Sequence, residues 1–402
     1  MTDLLEHFIL QEYDVAEYIS NHFPDYSCVE NLDVSEIGDG NINYVFRVLD
    51  KETGKSLIVK QADKLLRSSG RELDINRNII EYEALRIYQE LVPCFVPKVY
   101  LYDEELALIV MEDISNFKNL RYELADRKIF PNLSEEISLY LTKTLLLTSD
   151  VIGESKIKKM RLKKFINPDM CDISEDLVFT EPYNNYKQRN IITPENEEFV
   201  KKIIYQNQIL ISEVAKLRYR FMNCSEALIH GDLHSGSIFI NDFGLKVIDP
   251  EFAFYGPMGY DIGNVLAHLT ISLVQSYYVN YQKEFSNWLL KTIADIFDLI
   301  MIKMDKLYVK NVRLSLYQLG SFKNSFFNQI KSDSLGYAGT EIIRRIIGDS
   351  KVLEVTDVPN CQMEQNLLLI GSDLIIHRNE LNTGSELAKI IINRLEKREK
   401  LC

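Results

Sequence analysis

The chain has 402 residues, of which 46% are hydrophobic and 26% are charged, as in an ordinary globular protein with a large buried core. Its formal net charge of −13 argues against a nucleic acid partner, because a phosphate backbone requires clustered Lys and Arg. A small neutral substrate is compatible with this charge, and so is ATP where Lys, Arg, amides and magnesium bind it locally.

The cysteines and the amino terminus both point to the cytoplasm. The six cysteines contain no C-x-x-C pair and have no regular spacing, which predicts reduced thiols and neither a disulfide framework nor a zinc site. The first ten residues include Asp3, Glu6 and His7 and lack the basic and apolar segments of a signal peptide. The most apolar stretch, residues 265–274, is too short to span a bilayer. We therefore expect a soluble cytoplasmic protein that binds no membrane.

Residues 34–111 have the strongest strand patterns of the chain. Short apolar runs flank turn sequences there, and one helical pattern between them stops before Pro93. The predicted elements are strands at 44–48, 57–59, 98–102 and 106–111 and a helix at 76–91. From residue 133 onward long helical patterns dominate. The earlier segment is therefore expected to form a small sheet with one inserted helix.

Two features of this segment suit the binding of phosphate groups. Gly38 and Gly40 precede Asn43 and the first strand, so backbone amides there can approach phosphate oxygens closely. A plain β-turn is the alternative, because a Gly-x-Gly alone is weak evidence. Lys60 follows the apolar residues of the second strand, and Glu81 and Glu83 of the predicted helix are candidates to hold it.

The most informative pattern is His230-Gly231-Asp232-Leu233-His234-Ser235-Gly236-Ser237, which Asp249-Pro250-Glu251 follows. Apolar runs at 228–229, 238–240 and 247–248 surround the turn sequence of residues 241–244, so the pattern predicts a β-hairpin with acids at both ends. Closing the hairpin is expected to bring Asp232 near Asp249 and Glu251.

Carboxylates crowded at strand ends repel one another unless a cation or a reacting proton requires them there. A single Asp in such a place is most often a turn residue. Two histidines, three acids and two glycines around one hairpin instead favour chemistry. Phosphoryl transfer from ATP needs such a set, because one carboxylate receives the proton of the acceptor hydroxyl while others hold magnesium on the phosphates.

These residues resemble the aminoglycoside phosphotransferase and choline kinase superfamily, whose catalytic loop has the form His-Gly-Asp-x-His. Asp249-Pro250-Glu251 stands where protein kinases have the metal-binding Asp-Phe-Gly, and this combination is similar to the methylthioribose kinase family. The similarity extends to residues 36–41, 110–113, 167–168 and 343–345, and so spans nearly the whole chain.

The resemblance implies an α+β, bilobal, protein-kinase-like fold. Its amino-terminal lobe, residues 1–111, would contain an antiparallel β-sheet and one helix and bind ATP. Its carboxyl-terminal lobe, residues 112–402, would be mainly helical and contain the catalytic loop, the metal site and the sugar-binding helices.

The resemblance also implies roles for individual residues. Asp232 would be the catalytic base or the group that orients the acceptor, and His230 and His234 would hold its loop. Asp249 and Glu251 would bind magnesium, whose hard-cation chemistry suits two carboxylates. Their spacing of two residues predicts that both lie on one side of an extended segment. The implied ATP-binding residues are Gly38, Gly40, Asn43, Lys60, Glu81, Met111, Glu112, Asp113, Asp249, Pro250 and Glu251, with 111–113 as the hinge beside adenine. Glu81 fits the family pattern better than Glu83.

Arg344 and Arg345 would join Asp232 at the sugar, where guanidinium groups can meet hydroxyls and the transferred phosphoryl group. The alternative is that these two arginines lie on a solvated helix face, since the neighbouring isoleucine pairs define the buried one. Two departures from the family are visible. Ser237 stands where superfamily members have a metal-binding Asn, and residues 68–73 lack the tryptophan of the family's substrate lid.

The implied activity is ATP-dependent phosphorylation of 5-methylthioribose at its 1-hydroxyl, in methionine salvage, by a homodimer. Two alternatives stay open. One is a kinase of the same fold that acts on choline, homoserine or an aminoglycoside, for which an acidic site wall would be the indication. The other is a nucleotide-binding pseudokinase, against which Lys60, Asp232, Asp249 and Glu251 argue.

Overall fold

The computed structural model describes residues 8–37, 43–64 and 74–396. Its chain forms two compact units. The first contains Met1–Phe117 and Lys246–Phe252, and the second contains Lys118–Leu245 and Ala253–Cys402. The short segment after the hairpin therefore packs with the first unit, which chain order alone did not indicate. The lobe boundary after Met111 stays a prediction.

An antiparallel five-stranded sheet forms the centre of the first unit, in the order β1-β2-β3-β5-β4. Its strands are β1 Leu32–Glu36, β2 Asn43–Asp50, β3 Ser56–Ala62, β4 Val99–Asp103 and β5 Leu108–Glu112. Two helices accompany it, α1 Glu12–His22 and α2 Arg77–Leu91. The four predicted strands and the predicted helix are thus confirmed, whereas α1 and β1 were not predicted.

The two faces of this sheet bury different residues, because successive side chains of a strand point to opposite faces. Leu57 and Val59 of β3 share one apolar cluster with Val15 and Ile19 of α1. Ile58 of β3 belongs to the cluster on the other face, where Tyr82 of α2 packs. Lys60 lies two residues after Ile58 and so on the same face of β3. It therefore points toward α2, where it is buried.

The second unit is mainly helical. Its helices are α3 Leu120–Ala125, α4 Leu133–Leu147, α5 Ser155–Lys164, α6 Pro168–Phe179, α7 Glu181–Asn184, α8 Glu197–Val200, α9 Gln208–Asn223, α10 Gly259–Tyr278, α11 Lys283–Asn311, α12 Gly320–Ile347, α13 Leu353–Thr356, α14 Cys361–Ile376 and α15 Gly384–Glu396. Short strands accompany them at β6 Lys118–Asn119, β7 Ala227–Ile229, β8 Ile238–Asn241 and β10 Phe254–Gly256, and strand β9 Gly244–Val247 begins in this unit. Strands β8 and β9 are neighbours, which confirms the predicted hairpin, and β9 runs into the segment that belongs to the first unit.

Close packing of α10, α12 and α14 fixes the position of the carboxyl-terminal half of α12. A Cβ atom on Gly263 of α10 would lie 2.7 Å from the backbone nitrogen of Ala338 in α12. A Cβ atom on Gly339 would lie 2.4 Å from the carbonyl oxygen of Gly371 in α14. Glycine at these contacts lets the helix backbones touch. As a result, the last turns of α12 are buried on all sides.

The predicted fold class is confirmed, since the first unit contains an antiparallel sheet and the second is mainly helical. Among the described residues, all five cysteines are free thiols, as predicted; Cys402 lies outside them. No helix in the described part of the chain is both long enough and apolar enough to cross a membrane.

Candidate active site

The catalytic-loop candidate leaves β7 and turns sharply at Gly231. Gly231 has a φ of +84°, a conformation that glycine adopts without steric cost. The amides of His230 and Gly231 donate to the carboxylate of Asp261 at 2.7 and 3.0 Å. Asp261 lies in the first turn of α10 and is buried. The start of this helix therefore fixes the backbone on which Asp232 stands.

The carboxylate of Asp232 faces three nitrogen donors within the second unit. Its Oδ1 lies 3.3 Å from Nη2 of Arg344 and 3.6 Å from Nη2 of Arg345. Its Oδ2 lies 3.5 Å from Nε2 of His234. The side chain of Asp232 is 25% exposed, so a small acceptor molecule can still reach it.

Hydrogen bonds within the loop set the proton position on His234. Its Nδ1 accepts the amide hydrogen of Ser237 at 3.1 Å, so a neutral ring carries its proton on Nε2, toward Asp232. The hydroxyl of Ser237 donates to the carbonyl oxygen of Asp232 at 3.3 Å. His230 is buried, and its Nδ1 lies 3.3 Å from the amide of Asp232. Both histidines and Ser237 thus make hydrogen bonds that hold this loop.

Glu341 is the hub of a buried charge network on α12. Its carboxylate accepts from Nε of Arg344 at 2.6 Å and from Nε of Arg345 at 2.7 Å. His268 of α10 is its third partner, with Nε2 3.0 Å from Oε1. Arg345 also donates to the carbonyl oxygen of Ser350 at 3.0 Å. These bonds hold both guanidinium groups beside Asp232.

The solvated-face alternative for the two arginines is wrong. Arg344 and Arg345 are each only 8% exposed, and every residue of α12 from Ser332 to Ile347 is buried. Apolar spacing identified one buried face of this helix but could not show that neighbouring helices cover the other. The network compensates the charges of the arginines, because Asp232 and Glu341 supply two negative charges for two positive ones.

This network keeps both carboxylates ionised. Burial tends to raise the pKa of Asp232, but His234, Arg344 and Arg345 outweigh it and bring that pKa below its usual value. Burial likewise acts to raise the pKa of Glu341, yet the two arginines hold it well below the usual range. Burial lowers the pKa of His234 well below its usual value. His234 is therefore neutral at pH 7, and the arginines supply the positive charge at Asp232.

The buried histidines predict a specific loss of stability in mild acid. Burial also lowers the pKa of His268, so below about pH 6.5 the unfolded chain binds protons at these two histidines that the folded chain excludes. While a histidine is protonated only in the unfolded chain, it should cost up to about 1.4 kcal/mol of unfolding free energy per pH unit. Asp232 and Glu341, with lowered pKa values, lose their stabilisation only below about pH 4. Between about pH 6.5 and 5 the two histidines therefore act to destabilise the folded chain, whereas Glu81, whose pKa burial raises to about 7, acts in the opposite direction.

Urea unfolding of His234→Asn at about pH 6.5 and pH 5 tests this. Asn retains an acceptor for the Ser237 amide but does not titrate. The unfolding free energy of this variant should therefore fall less over this pH interval than that of the parent protein. The exposed His377 provides the control His377→Asn, which should fall as the parent does. If the unfolding free energy fell equally with pH in all three proteins, a neutral, buried His234 would be contradicted.

A second charged cluster lies in the first unit, around Lys60. Its Nζ donates to Oε1 of Glu81 at 2.7 Å and to Oδ1 of Asp249 at 2.5 Å. Glu81, and not Glu83, is therefore the partner on α2, as predicted. Burial would lower the pKa of Lys60, but Asp249, Glu81 and Glu251 outweigh it and raise that pKa. The ammonium group stays charged in the interior of the unit.

The acid pair of this cluster does not lie on an extended segment, and that part of the prediction is wrong. Pro250–Phe252 form a 3-10 turn, and Asp249 has a φ of +61°. A non-glycine residue in that region costs about 1–3 kcal/mol and occurs often at functional sites. The apolar residues before Asp249 predict a strand that continues through the acids. In the structure the chain turns at Asp249, and contacts with Lys60 and Asn43 hold the turned segment.

Glu251 is buried, and its Oε2 faces two donors. Nδ2 of Asn43 lies at 3.3 Å and Nε of Arg77 at 3.4 Å. Arg77 also donates to Oδ1 of Asn43 at 3.2 Å. Asp249 has a side chain that is 44% exposed, so this carboxylate is open to a ligand. The structure thus brings together one cluster of Lys60, Glu81, Asn43, Asp249 and Glu251.

The predicted ATP-binding residues Met111, Glu112 and Asp113 make their contacts outside the cluster around Lys60. Met111 is buried in β5, and Glu112 accepts from Lys246 at 2.9 Å. Asp113 accepts from Arg47 at 2.7 Å. These acids therefore have partners outside the lysine cluster. Gly38, Gly40 and the lid segment 68–73 lie outside the described residues.

Sequence reasoning missed several residues that position this site. Glu341 precedes the arginines by three and four residues, a spacing that joins opposite charges on one helix face, so this partner was visible in the sequence. Asp261, His268 and Arg77 had no such indication, because their partners lie 30, 73 and 34 residues away in sequence and are reached only through the fold.

The chain is similar to known phosphotransferases over most of its length. Residues 166–294 match the model of the phosphotransferase enzyme family. The chain is 37% identical over 361 residues to methylthioribose kinase of Geobacillus sp. (strain WCH70), covering 88% of each chain. It is 36% identical over 380 residues to methylthioribose kinase of Bacillus cereus (strain AH820), covering 93% of this chain and 94% of the relative. Among solved structures, choline kinase from Cryptosporidium parvum Iowa II aligns with a TM-score of 0.46 at 12% identity, over 96% of this chain and 95% of that one.

Proposed function

We propose, because this chain belongs to the methylthioribose kinase family, that it transfers the γ-phosphoryl group of ATP to the 1-hydroxyl of 5-methylthioribose. The observation that carries this proposal is the ionised, partly exposed Asp232 beside two buried arginines. A carboxylate that orients a hydroxyl and cations that stabilise a developing phosphoryl charge are the elements that this reaction needs.

Asp232 would act mainly by orientation. Its lowered pKa makes it a weak base, and the loose transition state of phosphoryl transfer asks little of a base. Its Oδ1 or Oδ2 would accept the hydrogen bond of the 1-hydroxyl and so direct the oxygen toward phosphorus. The proton would pass to this carboxylate as the bond from oxygen to phosphorus forms.

The arginines favour a neutral sugar over a cationic acceptor. Arg344 and Arg345 already compensate the negative charges of Asp232 and Glu341, so this network has no excess negative charge to attract choline or an aminoglycoside. Because Glu341 fixes both guanidinium groups, their remaining donors are preorganised. They would bind hydroxyls of the sugar and oxygens of the transferred phosphoryl group.

Lys60 would bind phosphate oxygens of ATP, with Glu81 and Asp249 keeping its ammonium group charged and in place. Gly38 and Gly40 would bring backbone amides to the phosphates, and the hinge at 111–113 would pair with the adenine edge. Each of these residue roles is proposed on the basis of the family to which the chain belongs.

The residues of the first unit fit magnesium. Asp249 and Glu251 offer hard carboxylate oxygens, and magnesium commonly takes one or two carboxylates with waters and substrate phosphates. Among the described residues, no group of three or more His, Cys, Asp or Glu forms a cage, as expected where phosphates complete the shell. When bound, the ion would neutralise charge on the phosphates. The hydroxyl of Ser237 already bonds within its loop, so we assign it no metal role.

Magnesium dependence tests this assignment. Glu251→Gln removes a carboxylate charge and is expected to raise, by roughly tenfold or more, the magnesium concentration that gives half-maximal rate, as for loss of a charged contact. Ser237→Ala is the control and should shift it less than about twofold. Steady-state rates over a magnesium titration at fixed ATP measure both. A larger shift for Ser237→Ala would show that the two-carboxylate assignment is wrong.

The proposed activity itself is tested with purified protein, ATP and four acceptors: 5-methylthioribose, choline, homoserine and kanamycin. We expect ADP release with the sugar alone. Because the 1-hydroxyl is the hemiacetal hydroxyl, its phosphorylation removes the reducing end, whereas transfer to another hydroxyl leaves it. A reducing-sugar assay therefore reports the position. Turnover without loss of reducing sugar, or turnover with another acceptor only, would overturn the proposal.

Two further properties belong to the same proposal. We infer a homodimer, which the family membership supports, and a cytoplasmic location, which the free cysteines among the described residues support. Light scattering of the purified protein would measure its mass, and a value near twice 46.7 kDa is expected.

A further inference from the structure

A third arginine lies against the catalytic loop. Arg121 is near the start of α3, where Oδ1 of Asn119 accepts its amide hydrogen at 3.0 Å. The side chain reaches the loop, because a Cβ atom on Gly236 would lie 3.1 Å from Cζ of Arg121. Nδ2 of Asn119 also donates to the carbonyl oxygen of Gly236 at 2.8 Å. The first turn of α3 is thereby fixed to the loop that carries Asp232.

The guanidinium group of Arg121 is not committed to a protein partner. It makes no hydrogen bond and no ion pair with the described part of the chain, and its Nε is buried without a partner. Arg344 and Arg345 differ, because Glu341 and Asp232 engage them both. Burial lowers the pKa of Arg121, while Glu354 and Asp232 counteract this and Arg345 adds to it. Arg121 therefore lies within the electrostatic field of the catalytic cluster.

Glu354 of α13 is the acidic counterpart. It is only 5% exposed, and its Oε2 has no hydrogen-bond partner among the described residues. Its Oε1 accepts only a long bond, 3.4 Å, from the hydroxyl of Ser272. A buried carboxylate oxygen without a donor is costly. A ligand that supplies a donor would remove that cost.

The fold brings Glu354 near the catalytic cluster. Ser272 follows His268 by four residues on α10, so the two side chains lie on one face about 6 Å apart. His268 contacts Glu341 and Ser272 contacts Glu354. The carboxylate of Glu354 thus lies about one helical turn from the Glu341 network. The segment from Ser350, which accepts from Arg345, leads directly into α13.

We propose that Arg121 and Glu354 form a subsite for the hydroxyls of the sugar that are not phosphorylated. This rests on the proposed function and names the groups that select the acceptor. Glu354 accepts hydrogen bonds from a hydroxyl of the 2,3-diol, and Arg121 donates to a diol oxygen. A buried site built to bond a hydroxyl rejects an analogue without that hydroxyl strongly, because the protein groups are then left unpaired.

The test compares 5-methylthioribose with its 2-deoxy and 3-deoxy analogues. Glu354→Gln is expected to lower kcat/KM for the parent sugar about 10- to 150-fold, the range for a charge-assisted bond. The KM for ATP should change less than about twofold. For the deoxy analogue that lacks the contacted hydroxyl, the kcat/KM of the unmodified protein and that of the variant should agree within about threefold, since that contact no longer exists. Glu380→Gln, at an exposed glutamate, is the control.

Arg121→Gln provides a second arm if Glu354→Gln fails to fold, because Arg121 makes no side-chain bond with the described residues. This variant is likewise expected to have a lowered kcat/KM for 5-methylthioribose and a nearly unchanged kcat/KM for one of the deoxy sugars. Equal losses with all three sugars, in either variant, would overturn the subsite and indicate a structural role or a contact with the phosphoryl group. If the unmodified protein does not phosphorylate 5-methylthioribose at all, the proposed function fails first, and the two failures are distinguishable.

Discussion

Replacement of Asp232 by Asn is expected to lower kcat by about 10²- to 10⁴-fold, the contribution of a positioned acid or base. Asn retains the shape of the side chain but loses the charge that the arginines face at Asp232 and that the 1-hydroxyl would meet in the proposed reaction. Because Asp232 is proposed to contact the acceptor and not the nucleotide, the dissociation constant for ATP should change less than about threefold. Single-turnover rates and calorimetric titration with ATP would measure the two effects separately.

The control for this substitution is Asp242→Asn, an exposed aspartate in the turn of the same hairpin. Its kcat should equal that of the parent. If Asp232→Asn retained more than about a tenth of the parent rate while remaining folded, Asp232 would have no catalytic role. Thermal unfolding of both variants would show whether the loss of one negative charge from the arginine network also destabilises the unit.

Replacement of Arg344 by Ala is expected to lower kcat/KM for 5-methylthioribose about 10- to 150-fold, with little change in the KM for ATP. It should also reduce stability, because Glu341 loses its shortest hydrogen bond, 2.6 Å. Breaking a buried ion pair costs about 3–5 kcal/mol, and Arg345 and His268 should reduce that cost by continuing to bind Glu341.

Arg344→Lys should restore stability more than activity. One ammonium group can satisfy Glu341 but cannot also reach Asp232 as the guanidinium fork does. Arg218→Ala, at a half-exposed arginine of α9, is the control and should remain within about 0.5 kcal/mol of the parent, as most surface changes do. Steady-state kinetics and urea unfolding measure both arms. Parent-like kinetics in Arg344→Ala would remove this residue from the sugar site.

The sequence by itself determined the elements whose causes are local. Alternating apolar residues around Asn241–Gly244 determine the hairpin, and the helical spacing before Pro93 determines α2. Lys60 could be paired with Glu81 because the predicted helix offered Glu81 and Glu83 as candidate acids and the family pattern favoured Glu81. The loop His230–Ser237 was recognisable since its residue types are those that phosphoryl transfer requires.

Only the tertiary structure decided which charged residues are buried. Arg344 and Arg345 have the sequence character of a solvated pair, yet α10 and α14 cover α12 through glycine contacts that no helical period indicates. Once buried, the arginines require compensating charge, and Glu341 and Asp232 supply it. The left-handed backbone of Asp249 has the same origin, because contacts distant in sequence sustain a conformation that Asp-Pro-Glu would not adopt by local preference. Arg121 and Glu354 are 233 residues apart in sequence. Only the fold places Arg121 against the catalytic loop and Glu354 against Ser272 of α10.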